Sequence, residues 1–129
     1  MGTASPVEVC SGAGELLGIR FGGHQGALPL RVVAGESFDV EVDYLPVTNH
    51  DPIRMTVTAE SEEGDIEVLC ADVGSFVLAA VQAAVRHPVA VPRELVGRRA
   101  TLRIELGSGG VTEVCVKVAA EVSSRDSVG

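Results

Sequence analysis

Three histidines, three cysteines and one crowd of carboxylates are the residues in this sequence with the means to do chemistry. His24, His50 and His87 are scattered, and only His50 has a carboxylate beside it, Asp51. A metal centre needs several such ligands converging, so the histidines read as solvated loop residues and no metal is expected. Glu60, Glu62, Glu63, Asp65 and Glu67 surround one turn. Oxygen ligands at alternate positions can hold a calcium ion, but the residue order of a calcium-binding loop is missing. A solvated hairpin tip is the expected reading. Nucleophile elbows, zinc-protease helices, phosphate loops and dinucleotide fingerprints are all missing from the sequence. Gly22-Gly-His-Gln-Gly26 follows a strand without opening a helix and reads as a loop. The chain is therefore expected to be non-enzymatic and to use no cofactor.

The elements that position these residues are strands. In Glu36–Tyr44, apolar Phe38, Val40, Val42 and Tyr44 alternate with Ser37, Asp39, Glu41 and Asp43. Period two is the mark of a strand with one buried and one wet face. Gly35 precedes it as a turn and Pro46 ends it. The same reading gives Pro6–Cys10, then Leu16–Phe21 with Leu17, Ile19 and Phe21 inward, then an edge strand in Ala27–Val33 around Pro29. It gives Arg54–Glu60 with Met55, Val57 and Ala59 inward, and Asp65–Ala71 with Ile66, Val68 and Cys70 on one face. Arg99–Leu106 presents Ala100, Leu102, Ile104 and Leu106, and Val111–Val118 presents Val114, Val116 and Val118. Gly74–Val91 fits a helix and a strand alike, because Val77, Val81 and Val85 satisfy both periods; among strands, a strand broken in the middle is preferred. Seven to nine short strands joined by Gly and Pro turns predict a single antiparallel, immunoglobulin-like β-sandwich over residues 1–122, with a polar tail over 123–129.

Two expectations follow from that layout. Cys10 and Cys115 take the outward parity of the first and last strands. Those strands are neighbours in many such sandwiches, which puts a disulfide within geometric reach, although reduced thiols are the rule in a cytosolic protein. Asp39, Glu41 and Asp43 lie outward on one sheet, and Arg54, Arg99, Arg103 and Lys117 on the other. The second face would suit an anionic or protein partner unless cross-strand pairs with Glu105 and Glu113 use up its charge, which is the favoured reading.

Composition excludes several functions. The net charge is −8, from 18 acidic and 10 basic residues, so a phosphate backbone or an anionic membrane is a poor partner. Aromatic residues number only three Phe and one Tyr, too few for a base-stacking platform. No apolar run approaches the ~20 residues that span a bilayer. The first ten residues lack the basic and apolar regions of a signal peptide, which makes the cytoplasm the expected location. Nine of the ten basic residues are Arg, a bias expected of a GC-rich bacterial genome.

Val33-Ala-Gly-Glu-Ser-Phe-Asp-Val-Glu-Val-Asp-Tyr44 resembles a strand of the C-terminal domain of Wzt-type ABC transporter ATPase subunits. Pro92-Arg-Glu-Leu-Val-Gly97 followed by Ala100-Thr-Leu-Arg-Ile104 resembles the turn into that domain's penultimate strand. The resemblance implies an immunoglobulin-like sandwich that binds a carbohydrate. It maps no binding residue, and the 129 residues hold no phosphate-loop motif of an ATPase. Tyr44 and the polar loop with Asn49, His50 and Arg54 are the expected ligand contacts, because a ring and planar polar groups suit a sugar. The alternative is a structural or assembly subunit that pairs with a protein partner, or with itself, through a sheet edge or face.

Overall fold

The computed structural model describes residues 8–22 and 29–124. His24 and most of the glycine-rich loop lie outside the described residues, as does the tail beyond Ser124. The strands are β1 (Glu8–Ser11), β2 (Glu15–Phe21), β3 (Leu30–Val33), β4 (Ser37–Leu45), β5 (Ile53–Ser61), β6 (Gly64–Gly74), β7 (Ala83–Ala90), β8 (Arg99–Ser108) and β9 (Val111–Ser123). They form two layers. The larger sheet runs β1-β9-β8-β5-β6, with β3 also on β9, and the smaller runs β2-β4-β7. The fold is the expected all-β sandwich. One pair departs from the antiparallel rule: β3 runs parallel to β9, Leu30 opposite Ala120 and Val33 opposite Ser123.

Alternation puts the core where it was read. Val40, Val42 and Tyr44 of β4 face Met55, Val57 and Ala59 of β5 and Ile104 and Leu106 of β8, and all are 0% exposed. Fully burying a Val or Leu side chain is worth about 1.5–3 kcal/mol. The sheets close on each other: the space between Phe38, Val89, Leu95 and Leu102 is about 10 Å³. That is about one water's worth of room in an apolar setting. Ser37–Leu45 is the middle strand of the smaller sheet. Past Gly74, which ends β6, the ambiguous Gly74–Val91 stretch is a strand only over Ala83–Ala90, residues 75–82 being a loop with one bridge at Val77.

One-residue irregularities account for the misread faces. β2 shifts register against β4 between Leu16 and Gly18. Leu16 therefore packs against the core, while Leu17 is 45% exposed instead of inward. β6 shifts against β5 between Glu67 and Leu69. Leu69 packs inward and Cys70 is exposed, the reverse of the expected parity. A bulge adds a residue to one strand and reverses every side chain beyond it.

Outer-face charges are matched across strands. Arg103 meets Glu60 at 2.8 Å and Glu105 at 3.5 Å, Lys117 meets Glu60 at 3.3 Å, and Arg99 meets Glu121 at 3.1 Å. On the smaller sheet Arg20 holds Glu41 and Asp43, and Arg86 holds Asp39. Cross-strand pairing is thus what the favoured reading held, except that Glu113 is not part of it. The acidic turn is a hairpin closed by Gly64 at φ +122°. Among the described residues no cluster of His, Cys, Asp or Glu could hold a metal ion.

Cys10 and Cys115 are joined by a disulfide, with Cα atoms 5.3 Å apart. Cys70 is a free thiol. Disulfides persist in oxidising compartments, so the bond runs against the cytoplasmic expectation. Among the described residues no helix is long and apolar enough to cross a membrane.

Candidate functional site

At one end of the sandwich the β4–β5 loop (residues 46–52) lies against the β6–β7 loop (residues 75–82). A short antiparallel bridge joins them: His50 N–H donates to Val77 O and Val77 N–H to His50 O, both at 2.8 Å. Ala79 N–H donates to Asn49 Oδ1 at 2.8 Å, and Ala80 N–H to Pro46 O at 2.9 Å. Four bonds make one tip of two loops.

A buried carboxylate anchors that tip from below. β9 carries one extra residue against β8: Val114 pairs with Leu106, and Thr112 with Gly107. Glu113 sits in the bulge and turns inward to 0% exposure. Its Oε1 accepts the Val47 N–H at 3.0 Å. Its Oε2 accepts the Thr48 N–H at 3.0 Å, the Thr48 hydroxyl at 2.8 Å and His50 Nε2 at 2.8 Å. His50 Nδ1 meets the Ser108 hydroxyl at 2.6 Å on its other side. A buried charge is tolerated only when it is bonded in this way. Burial pushes the Glu113 carboxyl up, but the bonds from Val47, His50 and Thr48 outweigh it and hold the group below its ordinary value.

Residues 12–14 close over this carboxylate. A Cβ at Gly14 would lie 2.7 Å from Glu113 Oε1, and one at Gly12 would lie 2.6 Å from Glu113 O. Only glycine permits that approach. Ala13 and Gly14 N–H groups donate to Thr112 O and Glu113 O, each at 2.9 Å.

The outer surface of the tip is apolar. Phe76 is 77% exposed, Val81 54%, Leu78 53% and Val47 52%. Phe76 has φ +53° and Ala80 φ +63°. Side chains bearing a Cβ rarely adopt that region, and holding one there costs about 1–3 kcal/mol. The loop is thus held in a strained path that keeps its aromatic ring in water.

The four residues expected to touch a ligand separate. Tyr44 is fully buried, and its hydroxyl has no hydrogen-bond partner among the described residues. Burial and the Glu113 charge push the phenol up to about 12. His50, expected in a solvated loop, is 3% exposed because Glu113 draws it inward. Asn49 is exposed, and its carbonyl is committed to Ala79. Arg54 lies on the outer face of the larger sheet, with Nε 3.2 Å from Asp72. It lines a cleft of about 270 Å³ with Thr56, Glu105, Ser108 and Thr112. Ser108 is the link between that cleft and His50. Sequence reasoning missed Glu113, Phe76, Leu78 and Val81. The apolar run Phe76–Val81 was the available signal for the tip; strict alternation hid Glu113.

No protein-family model matches the sequence, and no curated protein matches it. Solved structures do share the fold. A Niemann-Pick type C2 protein from Japanese carpenter ant superposes with a TM-score of 0.76 at 11% identity, over 90% of this chain and 98% of that one. The C-terminal domain of Wzt superposes with a TM-score of 0.56 at 8% identity, over 91% of this chain and 77% of that one. The Wzt likeness agrees with the sequence resemblance at the level of fold.

Proposed function

We propose that this chain is a non-enzymatic binding module that docks a protein partner with the tip built from residues 46–52 and 75–82. The observation that carries the reading is Phe76, which is held out in water by a strained backbone on loops braced from both sides. Contiguous exposed apolar groups mark interaction sites. Covering Phe76, Leu78, Val81 and Val47 would recover roughly 5 kcal/mol of apolar burial. Rigid loops lose little entropy on binding, so more of that energy appears as affinity. The apolar area is small beside the roughly 800 Å² per partner of a standard interface, so polar neighbours such as Asn49, Asp51 and Gln82 complete the contact. The disulfide favours an oxidising compartment as the place of action.

A photo-crosslinking residue at position 78 should trap the partner. A Phe76→Ser, Leu78→Ser protein should fold normally and bind that partner at least tenfold more weakly. Unchanged affinity in a folded double variant would overturn the proposal.

A second reading is carbohydrate binding in the 270 Å³ cleft, where Arg54, Thr56, Glu105, Ser108 and Thr112 converge. The Wzt resemblance favours it, and the cleft is wide enough for about one sugar ring. Glycan-array binding abolished by Arg54→Ala and untouched by Phe76→Ser would favour this reading over the first.

A further inference from the structure

We propose that the redox state of the Cys10–Cys115 pair controls whether the tip is held in its docking shape; this rests on reading the tip as the docking surface. The connection is a continuous set of contacts. Cys115 is two residues from Glu113 on β9, and Cys10 is two residues from Gly12, which closes over Glu113. The disulfide, together with the Ala13 and Gly14 amide bonds to Thr112 O and Glu113 O, fixes residues 10–14 against the bulge. Glu113 in turn takes the Val47 and Thr48 amides, the Thr48 hydroxyl and His50. Those loop residues carry the bridge to Val77, and Asn49 holds Ala79.

Besides the disulfide, β1 is held by a short ladder to β9 and by the Ala13 and Gly14 amide bonds just after it. Among the described residues it is four residues long, and Glu8, Val9 and Ser11 are those that pair with β9, with a register shift between Val9 and Ser11. Glu8, Val9 and Ser11 are exposed, Val9 at 61%, so β1 gains little from apolar burial. Cys115 is buried, whereas Cys10 is only half-buried on the outermost strand. A thiolate can approach from that side. A dithiol reductant supplies two electrons and two protons. The bond between the two Sγ atoms breaks, Cys10 and Cys115 become thiols, and the reductant leaves as a disulfide. β1 then detaches, Gly12–Gly14 lift, and water reaches Glu113. A hydrated carboxylate no longer needs the loop donors, and the brace under the tip is released. The disulfide is the two-state element that coupling between distant sites requires.

The test is a ¹H–¹⁵N spectrum of the folded chain before and after dithiothreitol, with accessible thiols counted without denaturant. The count should rise from one, Cys70, to three. The amide signals of Val47, Thr48, Val77 and Ala79 should move toward the values of an unstructured chain, while those of Val57 and Ile104 in the sheet centre stay in place. A Cys10→Ala, Cys115→Ala protein should show the same pattern without reductant. Three thiols with an unmoved tip would overturn the proposal. So would a count that stays at one, or signals that collapse uniformly across the chain. The readout is the shape of the tip, so this result and the affinity of the Phe76→Ser, Leu78→Ser protein can fail independently.

Discussion

Two neighbouring regions at one end of this sandwich invert the usual partition of residues. Glu113 carries a charge at 0% exposure, and a few residues away in space Phe76 presents an aromatic ring at 77% exposure. Ordinarily the carboxylate would be outside and the ring inside. The inner inversion is saturated with hydrogen bonds, four on the carboxylate alone. The outer one has no such compensation and adds backbone strain. The difference teaches how to separate structure from function. A feature whose cost is met within the fold serves the fold, and one whose cost is left unmet serves something beyond it.

The comparison can be broken from the inner side first. Glu113→Gln keeps the size but loses an acceptor, so an amide NH₂ must face one of the loop N–H donors. A loss of about 3 kcal/mol in urea unfolding is expected. Acid should act in the same direction. A carboxyl held below its ordinary value of 4.5 contributes fully at neutral pH, and the contribution fades as pH falls from that value through the lower folded one. The Gln variant should lack this share of the acid sensitivity; equal acid profiles would show that Glu113 is not the group responsible.

From the outer side, Phe76→Asn should stabilise the protein by about 1 kcal/mol, because Asn tolerates the left-handed region. The same change should weaken partner binding. Destabilisation by this substitution would mean that the ring, exposed as it is, supports the fold. The smallest effect is expected between the two regions, at Tyr44. Its hydroxyl is buried beside Glu113 without a partner. Tyr44→Phe should change stability by less than about 0.5 kcal/mol; a clear loss would reveal a bound water satisfying the hydroxyl.

The legible part of this molecule was the part that obeys period two. Phe38, Val40, Val42 and Tyr44 were read inward and are buried, as are Met55, Val57 and Ala59, and Leu102, Ile104 and Leu106. Leu17, Cys70 and Glu113 were misplaced for one shared reason. Each lies at or beside a one-residue bulge, and a bulge is set by the partner strand, which a single sequence does not display. The candidate site was half legible. In the loop Asn49 to Arg54, expected to meet a ligand, His50 bonds Glu113 and Asn49 holds Ala79, while Phe76, Leu78 and Val81 are the exposed groups. A loop's composition does not say which of its side chains will be used internally.

Strand β9 has a consequence for how the chain comes to be folded. It holds β8 along one side, and β1 and β3 along the other. β8 also pairs with β5, but β1 and β3, far earlier in the chain, find their place only once β9 exists. Contacts so distant in sequence close slowly. During synthesis β1 and β3 emerge with edges that have no template, and the larger sheet must wait for β9 to be completed. Nascent chains stalled before Val111 should therefore be protease-sensitive and sticky, and protection should arrive in one step when β9 clears the ribosome.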